Sequence, residues 1–164
     1  MEFDNSFKLE FEAKNVNEGF ARGVVALFCM DLKPTMSEIN DIKTAVSEAV
    51  TNSIVHGYDN KGGRILLEAG IKNNVLDVKV TDYGVGISDI DMAMQPFFTT
   101  KSDEEHSGMG FTLMDSFMSS LEVKPNKPTG LIVQMKKVIK DNGRVQANWY
   151  KPNKWISFKG EKGG

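Results

Sequence analysis

Three polar side chains, Glu48, Asn52 and His56, fall at four-residue steps in the otherwise apolar stretch SEAVTNSIVHGY, Ser47 to Tyr58. Each step advances a helix by about 400°, so successive members drift by about 40° and share one space. A glutamate there can take a proton or accept a hydrogen bond, an asparagine offers an amide oxygen to a hard cation, and a histidine can bond either way. A solvated helix face produces the same spacing, so the stripe needs support from elsewhere in the chain. TDYGVGI, Thr81 to Ile87, supplies some of it. Asp82 stands at the end of an apolar run, where a carboxylate can accept from an amino group such as that of adenine. Gly84 and Gly86 let backbone approach a flat ring, although aspartate and glycine also serve a plain turn. HSGMGFTLMDSFM, His106 to Met118, is a glycine-rich turn opening directly into a helix. Free N–H groups of a first helical turn, with the helix dipole, attract an anion, and Gly108 and Gly110 let phosphate come close. The segment has neither the lysine of a P-loop nor the strand and GxGxxG of a dinucleotide turn.

Positioning these groups requires a folded domain, and 164 residues with 40% hydrophobic and 26% charged content suit a single one. No apolar run is long enough to span a membrane and the N-terminus MEFDNSFKLE is charged, which predicts a cytoplasmic protein. A net charge of −2 gives no general attraction to nucleic acid or membrane surfaces, so direct DNA binding is not expected. The single cysteine, Cys29, lies among Val24, Val25, Ala26, Leu27 and Phe28, the setting of a core thiol. The charge is unevenly spread. Past Lys140 come Arg144, Lys151, Lys154, Lys159 and Lys162 against Asp141 and Glu161, interleaved with Trp149, Tyr150, Trp155 and Phe158. This divides a domain of residues 1–140 from a basic aromatic tail of residues 141–164, for which disorder is the expectation and no function is assigned.

Within the domain, Phe7, Leu9 and Phe11 alternate with Lys8, Glu10 and Glu12, predicting a half-buried strand. A helix is predicted from Asn15 to about Asp31, with Asn15 as its cap, Glu18 three residues later, and Phe20, Val24, Leu27 and Phe28 as its buried face. Leu32-Lys33-Pro34 ends it. Thr35 and Glu38 form a second capping box, opening the helix that carries Glu48, with Ile39, Ile42, Val46, Ala49, Ser53 and Ile54 as its core stripe. Gly57 to Gly63 turns the chain into a hairpin of strands Arg64 to Ile71 and Val75 to Thr81. Tyr83 to about Gly108 has little periodicity, which marks a functional loop or lid with room for a short helix at Ile90 to Met94. A helix from Met109 to Ser119 and strands Leu121 to Lys124 and Gly130 to Val138 complete the domain. This order predicts an α+β, two-layer sandwich: one mixed, mostly antiparallel sheet with helices on one face.

ExxxNxxxH at Glu48, Asn52 and His56, DxGxG at Asp82, Gly84 and Gly86, and GMGF at Gly108 to Phe111 together resemble the ATP site of the GHKL superfamily. That superfamily, with its Bergerat fold, includes histidine kinases, gyrase-type ATPases and Hsp90. VSEAVTNSIVHGY, the QPFFTTK of Gln95 to Lys101 and SGMGFTLMDSFM resemble more closely the sporulation anti-sigma F factors, serine kinases that switch partners, over about residues 3 to 140. The resemblance implies a GHKL sandwich that binds ATP or ADP with Mg²⁺. It implies Glu48 as the base taking a target serine's hydroxyl proton, Asn52 as a ligand of Mg²⁺ on the phosphates, and Asp82 as the adenine acceptor beside Gly84 and Gly86. Gly108, Met109, Gly110 and Phe111 would line the triphosphate, while Thr99, Thr100 and Lys101 would close over it. The implied partners are a sporulation sigma factor and an anti-sigma antagonist, with Arg22 as a basic contact, and the implied assembly is a homodimer.

The chain departs from the family's glycine-threonine pair at the start of the last strand, where Pro128-Thr129-Gly130-Leu131 sets the threonine one place early. Adenine contact by that hydroxyl therefore does not carry over as Asp82 does. A sensor histidine kinase is a second reading. It needs a phosphoacceptor histidine on a dimerising hairpin, and this sequence has His56 and His106, neither in such a setting. A nucleotide-gated binding module without kinase activity is a third, against which Glu48 speaks.

Overall fold

The computed structural model describes residues 2–95 and 109–140. Their strands are β1 (Asn5–Glu12), β2 (Arg64–Lys72), β3 (Val75–Asp82), β4 (Ser120–Pro125) and β5 (Leu131–Val138). Their helices are α1 (Val16–Phe28), α2 (Met36–Asn52), α3 (Ile90–Ala93) and α4 (Gly110–Phe117). The short helix expected after Tyr83 is α3, opened by Asp89, whose carboxylate accepts the Met92 N–H at 2.9 Å. One sheet runs in the order β1-β2-β3-β5-β4. All its pairings are antiparallel, which corrects the expectation of a mixed sheet. Strands β3 and β4 run in the same direction, but β4 joins the edge beyond β5, so the two are never neighbours.

Strand alternation separates the two faces. Phe11, Ile65, Leu67, Leu76, Val78, Val133 and Met135 turn into the core with the helices, and full burial of such a side chain stabilises by about 1.5–3 kcal/mol. The alternate positions carry charge. Glu68 pairs with Lys8 at 2.7 Å and Lys79 at 2.5 Å, and Asp77 accepts from Gln134 Nε2 at 2.9 Å.

Helix α1 corrects the predicted buried face. Ala21, Val25 and Cys29, the last in the 3₁₀ turn Cys29–Leu32, are buried, whereas Phe20 is 51% and Leu27 76% exposed. Two apolar stripes run along this segment, and the one with small residues faces inward, where it lets α1 approach α2 closely. Phe28 is half-buried and meets the Phe7 ring edge-on at 4.9 Å. Asn15 is itself helical in conformation and its side chain makes no cap, so the predicted capping is absent at this end. The core thiol is as expected: burial pushes Cys29 up to about 11, which keeps it protonated.

Helix α2 starts as predicted. Thr35 Oγ1 accepts the Glu38 N–H at 3.1 Å, and Glu38 Oε2 accepts the Thr35 N–H at 2.7 Å and its hydroxyl at 2.9 Å. The other oxygen, Oε1, accepts the Lys140 N–H at 3.1 Å, tying the chain beyond β5 to the start of α2. Burial pushes this carboxyl up, but the N–H groups of Thr35 and Lys140, the Thr35 hydroxyl and the Lys137 charge outweigh it, and the carboxyl is held below the usual glutamate range. A folded-state value below the unfolded one gives stability that is present at neutral pH and lost as pH falls through the folded value. Glu38→Gln is therefore expected to cost about 1–3 kcal/mol at neutral pH. It should also flatten the acid side of a plot of Tm against pH, and an unchanged acid side would rule out this role for Glu38.

Candidate functional site

Helix α2 is the spine of the site, and the turn beyond Asn52 sets the geometry. From Ser53 to Gly57 the helix widens into a π turn, closed by the Tyr58 N–H on the Ser53 carbonyl at 3.0 Å. Such widened turns recur at functional sites because they re-aim the backbone without ending the helix. Here the turn presents the Gly57 carbonyl to the Val85 N–H at 3.0 Å and lays the Gly57 Cα against Asp82. A methyl group at Gly57 would lie 3.2 Å from the Asp82 Cγ, and one at Gly84 would overlap the Gly57 carbonyl. The DxGxG turn is thus clasped to the end of the helix. Tyr58 adds a second clasp, its hydroxyl donating to the Arg64 carbonyl and accepting the Tyr83 N–H at 2.8 Å.

Asp82 ends β3 and is buried. Its Oδ1 accepts the N–H of Gly84 at 3.0 Å and of Leu131 at 3.2 Å, while Oδ2 accepts the Ser53 hydroxyl at 3.0 Å. Burial pushes the carboxyl above the usual aspartate range, against the pull of these three donors. A carboxylate offers about four acceptor positions, so one on Oδ2 remains for an incoming amino group. Gly86 (φ 72°) and Gly130 (φ 108°) pack against each other beside it in backbone conformations that suit glycine. Thr129 is exposed and its hydroxyl donates to the Tyr83 carbonyl at 3.3 Å, whereas Leu131 is buried and reaches Asp82 through its N–H. The last strand thus supports Asp82 with a main-chain donor.

The opposite end of the site forms where α4 begins. A methyl group on Gly110 would lie 3.1 Å from Glu48 Oε2 and 3.3 Å from both amide atoms of Asn52. Both side chains are half-buried and face the first turn of α4, where N–H groups and the helix dipole favour negative charge. Met109 precedes the helix without capping it through its side chain. Phe111 lies in the core, so any contact it makes to an anion here is through its main chain. His56, half-buried, falls within the π turn, where the helical step differs from the one that aligns Glu48 with Asn52. Arg22 joins Glu18 at 2.9 Å and Ser47 Oγ at 3.4 Å, on the side of α1 that reaches the residue before Glu48. Thr99, Thr100, Lys101 and Gly108 lie outside the described residues, as do residues 141–164.

The structure adds residues that sequence patterns do not place in the site. Patterning makes Ser53 a core position, Gly57 a helix stop, and Asn126, whose Nδ2 donates to the Asp82 carbonyl at 2.9 Å, part of a linker. For Ser53 a signal is available, since it is the polar member of an otherwise apolar stripe.

Residues 11–137 match the family described as Histidine kinase-like ATPase domain. The anti-sigma F factor of Clostridium kluyveri is 56% identical over 136 residues, covering 83% of this chain and 96% of the relative. The chain belongs to the anti-sigma F factor family of histidine kinase-like ATPase domains. A second member, from a Thermoanaerobacter species, is 54% identical over 139 residues, covering 85% of this chain and 97% of the relative. Among solved structures, the RsbU and RsbW domains of a Mycobacterium tuberculosis protein superpose with a TM-score of 0.58 at 16% identity, covering 82% of this chain and 32% of that one. The catalytic domain of histidine kinase ThkA gives 0.51 at 21%, covering 85% and 97%. At these identities the structures speak for the fold, which is the GHKL sandwich expected. Among the described residues no helix is long and apolar enough to cross a membrane.

Proposed function

We propose that this anti-sigma F family member is an ATP-dependent serine kinase. In this reading it holds a sporulation sigma factor in the cytoplasm and phosphorylates a serine of an anti-sigma antagonist. One observation carries the proposal: α2 holds Glu48 and Asn52 against the start of α4, and Ser53 on the same helix holds Asp82. The two ends fit the two ends of ATP. At one, Asp82 takes the adenine amino group, with Gly84 and Gly86 beside the ring. At the other, Met109, Gly110 and Phe111 carry the phosphates on main-chain N–H groups, and the family resemblance implies that Gly108 would join them and that Thr99, Thr100 and Lys101 would close over the phosphates.

Mg²⁺ fits this arrangement, because the cation is satisfied by phosphate oxygens, water and few protein ligands, here the Asn52 amide oxygen. It would neutralise charge on the transferring phosphoryl group. Glu48 takes the proton of the target serine hydroxyl as the serine oxygen bonds to the γ-phosphorus. The bond from that phosphorus to the β-γ bridging oxygen breaks, and ADP leaves. Whether ATP or ADP is held would set which partner is preferred. Partner binding draws support from the outer stripe of α1, where Val16 is 79% exposed and Phe20 and Leu27 are also exposed, and from the half-buried Arg22 on another side of the same helix. Apolar surface of this kind suits a sigma factor, an antagonist or a second copy in a homodimer.

The test is transfer of labelled γ-phosphate from ATP with Mg²⁺ to the cognate antagonist, read as phosphoserine. Transfer that needs the cation is the expected result. Tight ATP binding without transfer would overturn the kinase reading and leave a nucleotide-gated binding module.

A further inference from the structure

We infer that Ser53 is a positioning residue that sets base specificity, by fixing which acceptor position of Asp82 is offered to the nucleotide; the inference rests on the nucleotide site proposed above. The single proton of the Ser53 hydroxyl is the starting point. Ser53 is buried, and its Oγ lies 3.0 Å from Asp82 Oδ2 and 3.3 Å from the Ala49 carbonyl. A hydroxyl has one hydrogen to give, and the bond to an ionised carboxylate is the stronger of the two. The proton is therefore directed at Asp82.

The surroundings of the carboxylate give that bond its consequence. Oδ1 is occupied by the N–H groups of Gly84 and Leu131, and the Cα of Gly57 closes one flank of the carboxyl group. With Ser53 on Oδ2, one acceptor position is left, and it has a defined direction. A 6-amino purine presents a donor to that position. A 6-oxo purine presents an oxygen instead, which a carboxylate repels. Without Ser53, Oδ2 would have two positions open and the carboxyl group one fewer donor favouring its ionised form, so its preference for a donor would weaken. A polar group left unmatched by the wrong ligand is what makes such discrimination large. Ser53 occupies the position after Asn52, so one turn of helix serves both ends of the nucleotide.

The experiment is calorimetric titration of the full chain and of Ser53→Ala with ATP and with ITP, whose base differs in carrying oxygen at position 6. Removing a small hydroxyl leaves little space, and thermal melting of each protein identifies any failure to fold. Wild type should bind ATP well over tenfold more tightly than ITP. In Ser53→Ala, ATP affinity should fall about tenfold or more and the ATP-to-ITP ratio by a similar factor, from one hydrogen bond to a charged acceptor. Ser53→Thr, which restores the hydroxyl, should recover the ratio wherever it melts as wild type does. An unchanged ratio in Ser53→Ala, or equal loss of both nucleotides, overturns the inference, since a merely structural serine would weaken the two alike. Failure of wild type to bind either nucleotide would instead overturn the nucleotide site itself.

Discussion

Replacing Asp82 by asparagine is expected to weaken ATP binding by at least about 100-fold, from loss of two charge-assisted interactions of about 1.5–3 kcal/mol each. The carboxylate receives three donors and offers an acceptor to a fourth. An asparagine must place its amide nitrogen in one of two positions. At Oδ1 it would face the N–H groups of Gly84 and Leu131, donor against donor. At Oδ2 it would present N–H to the adenine amino group. Both choices fail, whichever way the amide turns. Stability should move less than binding, because the substitution also removes a buried charge whose desolvation raises the Asp82 pKa.

The direction of that shift adds a pH test. A carboxyl whose folded value is raised carries a cost in its ionised form, which is fully present above the folded value and relieved as pH falls through it. Nucleotide binding needs the ionised form, so wild-type ATP affinity should begin to fall on acidification above the ordinary aspartate range. Calorimetric titration of both proteins across pH checks this. Strong ATP binding by Asp82→Asn, or a wild-type affinity flat down to the usual aspartate range, would remove Asp82 from the role of base acceptor.

Local rules make much of this fold readable. The Thr35 and Glu38 box is a short motif whose bonds close within one helical turn, so context has little chance to alter it. The hairpin of β2 and β3 is equally local, and its two-residue turn uses Asn73 at φ 54°, a conformation asparagine tolerates. Sequence misplaces the buried face of α1 for a physical reason. Periodicity shows that apolar stripes exist but not which one is covered, and size bias favours Phe20 and Leu27 over Ala21 and Val25. Close packing against α2 reverses that preference. Antiparallel pairing of β4 on the outside of β5 likewise depends on a choice of edge that no local pattern records.

The candidate site divides the same way. Glu48 and Asn52 are legible because helical spacing fixes their common side before any tertiary contact exists. Their meeting with Gly110 can be anticipated only through the family resemblance, since helix period does not say which glycine-rich turn arrives there. The π turn at Ser53–Gly57 is invisible in the sequence, because an apolar run with a terminal glycine looks the same whether its hydrogen bonds span four residues or five. The bond from Ser53 to Asp82 joins residues 29 positions apart and depends on that turn holding the helix end against β3.

Glu48→Gln should separate proton transfer from everything else the glutamate does. Glutamine keeps the length and volume that let Gly110 approach the side chain, and it can still accept and donate hydrogen bonds, but it cannot take up a proton at neutral pH. Transfer to the antagonist serine at saturating ATP is therefore expected to fall about 10²- to 10⁴-fold, the usual contribution of a positioned general base. At about 1.36 kcal/mol per decade, that is roughly 3–5.5 kcal/mol of transition-state stabilisation. ATP affinity should change by less than about threefold, because Glu48 lies at the phosphate end, where Asn52 and the main chain of α4 would hold the ligand, far in function from the base contacts of Asp82. Single-turnover transfer and calorimetric binding on the same samples give both numbers. A fall in affinity as large as the fall in rate would make Glu48 a binding residue, and an unchanged rate would send the serine proton to another acceptor. A large loss of rate with affinity intact, opposite to the pattern expected for Asp82→Asn, would assign the two ends of the site to chemistry and to recognition respectively.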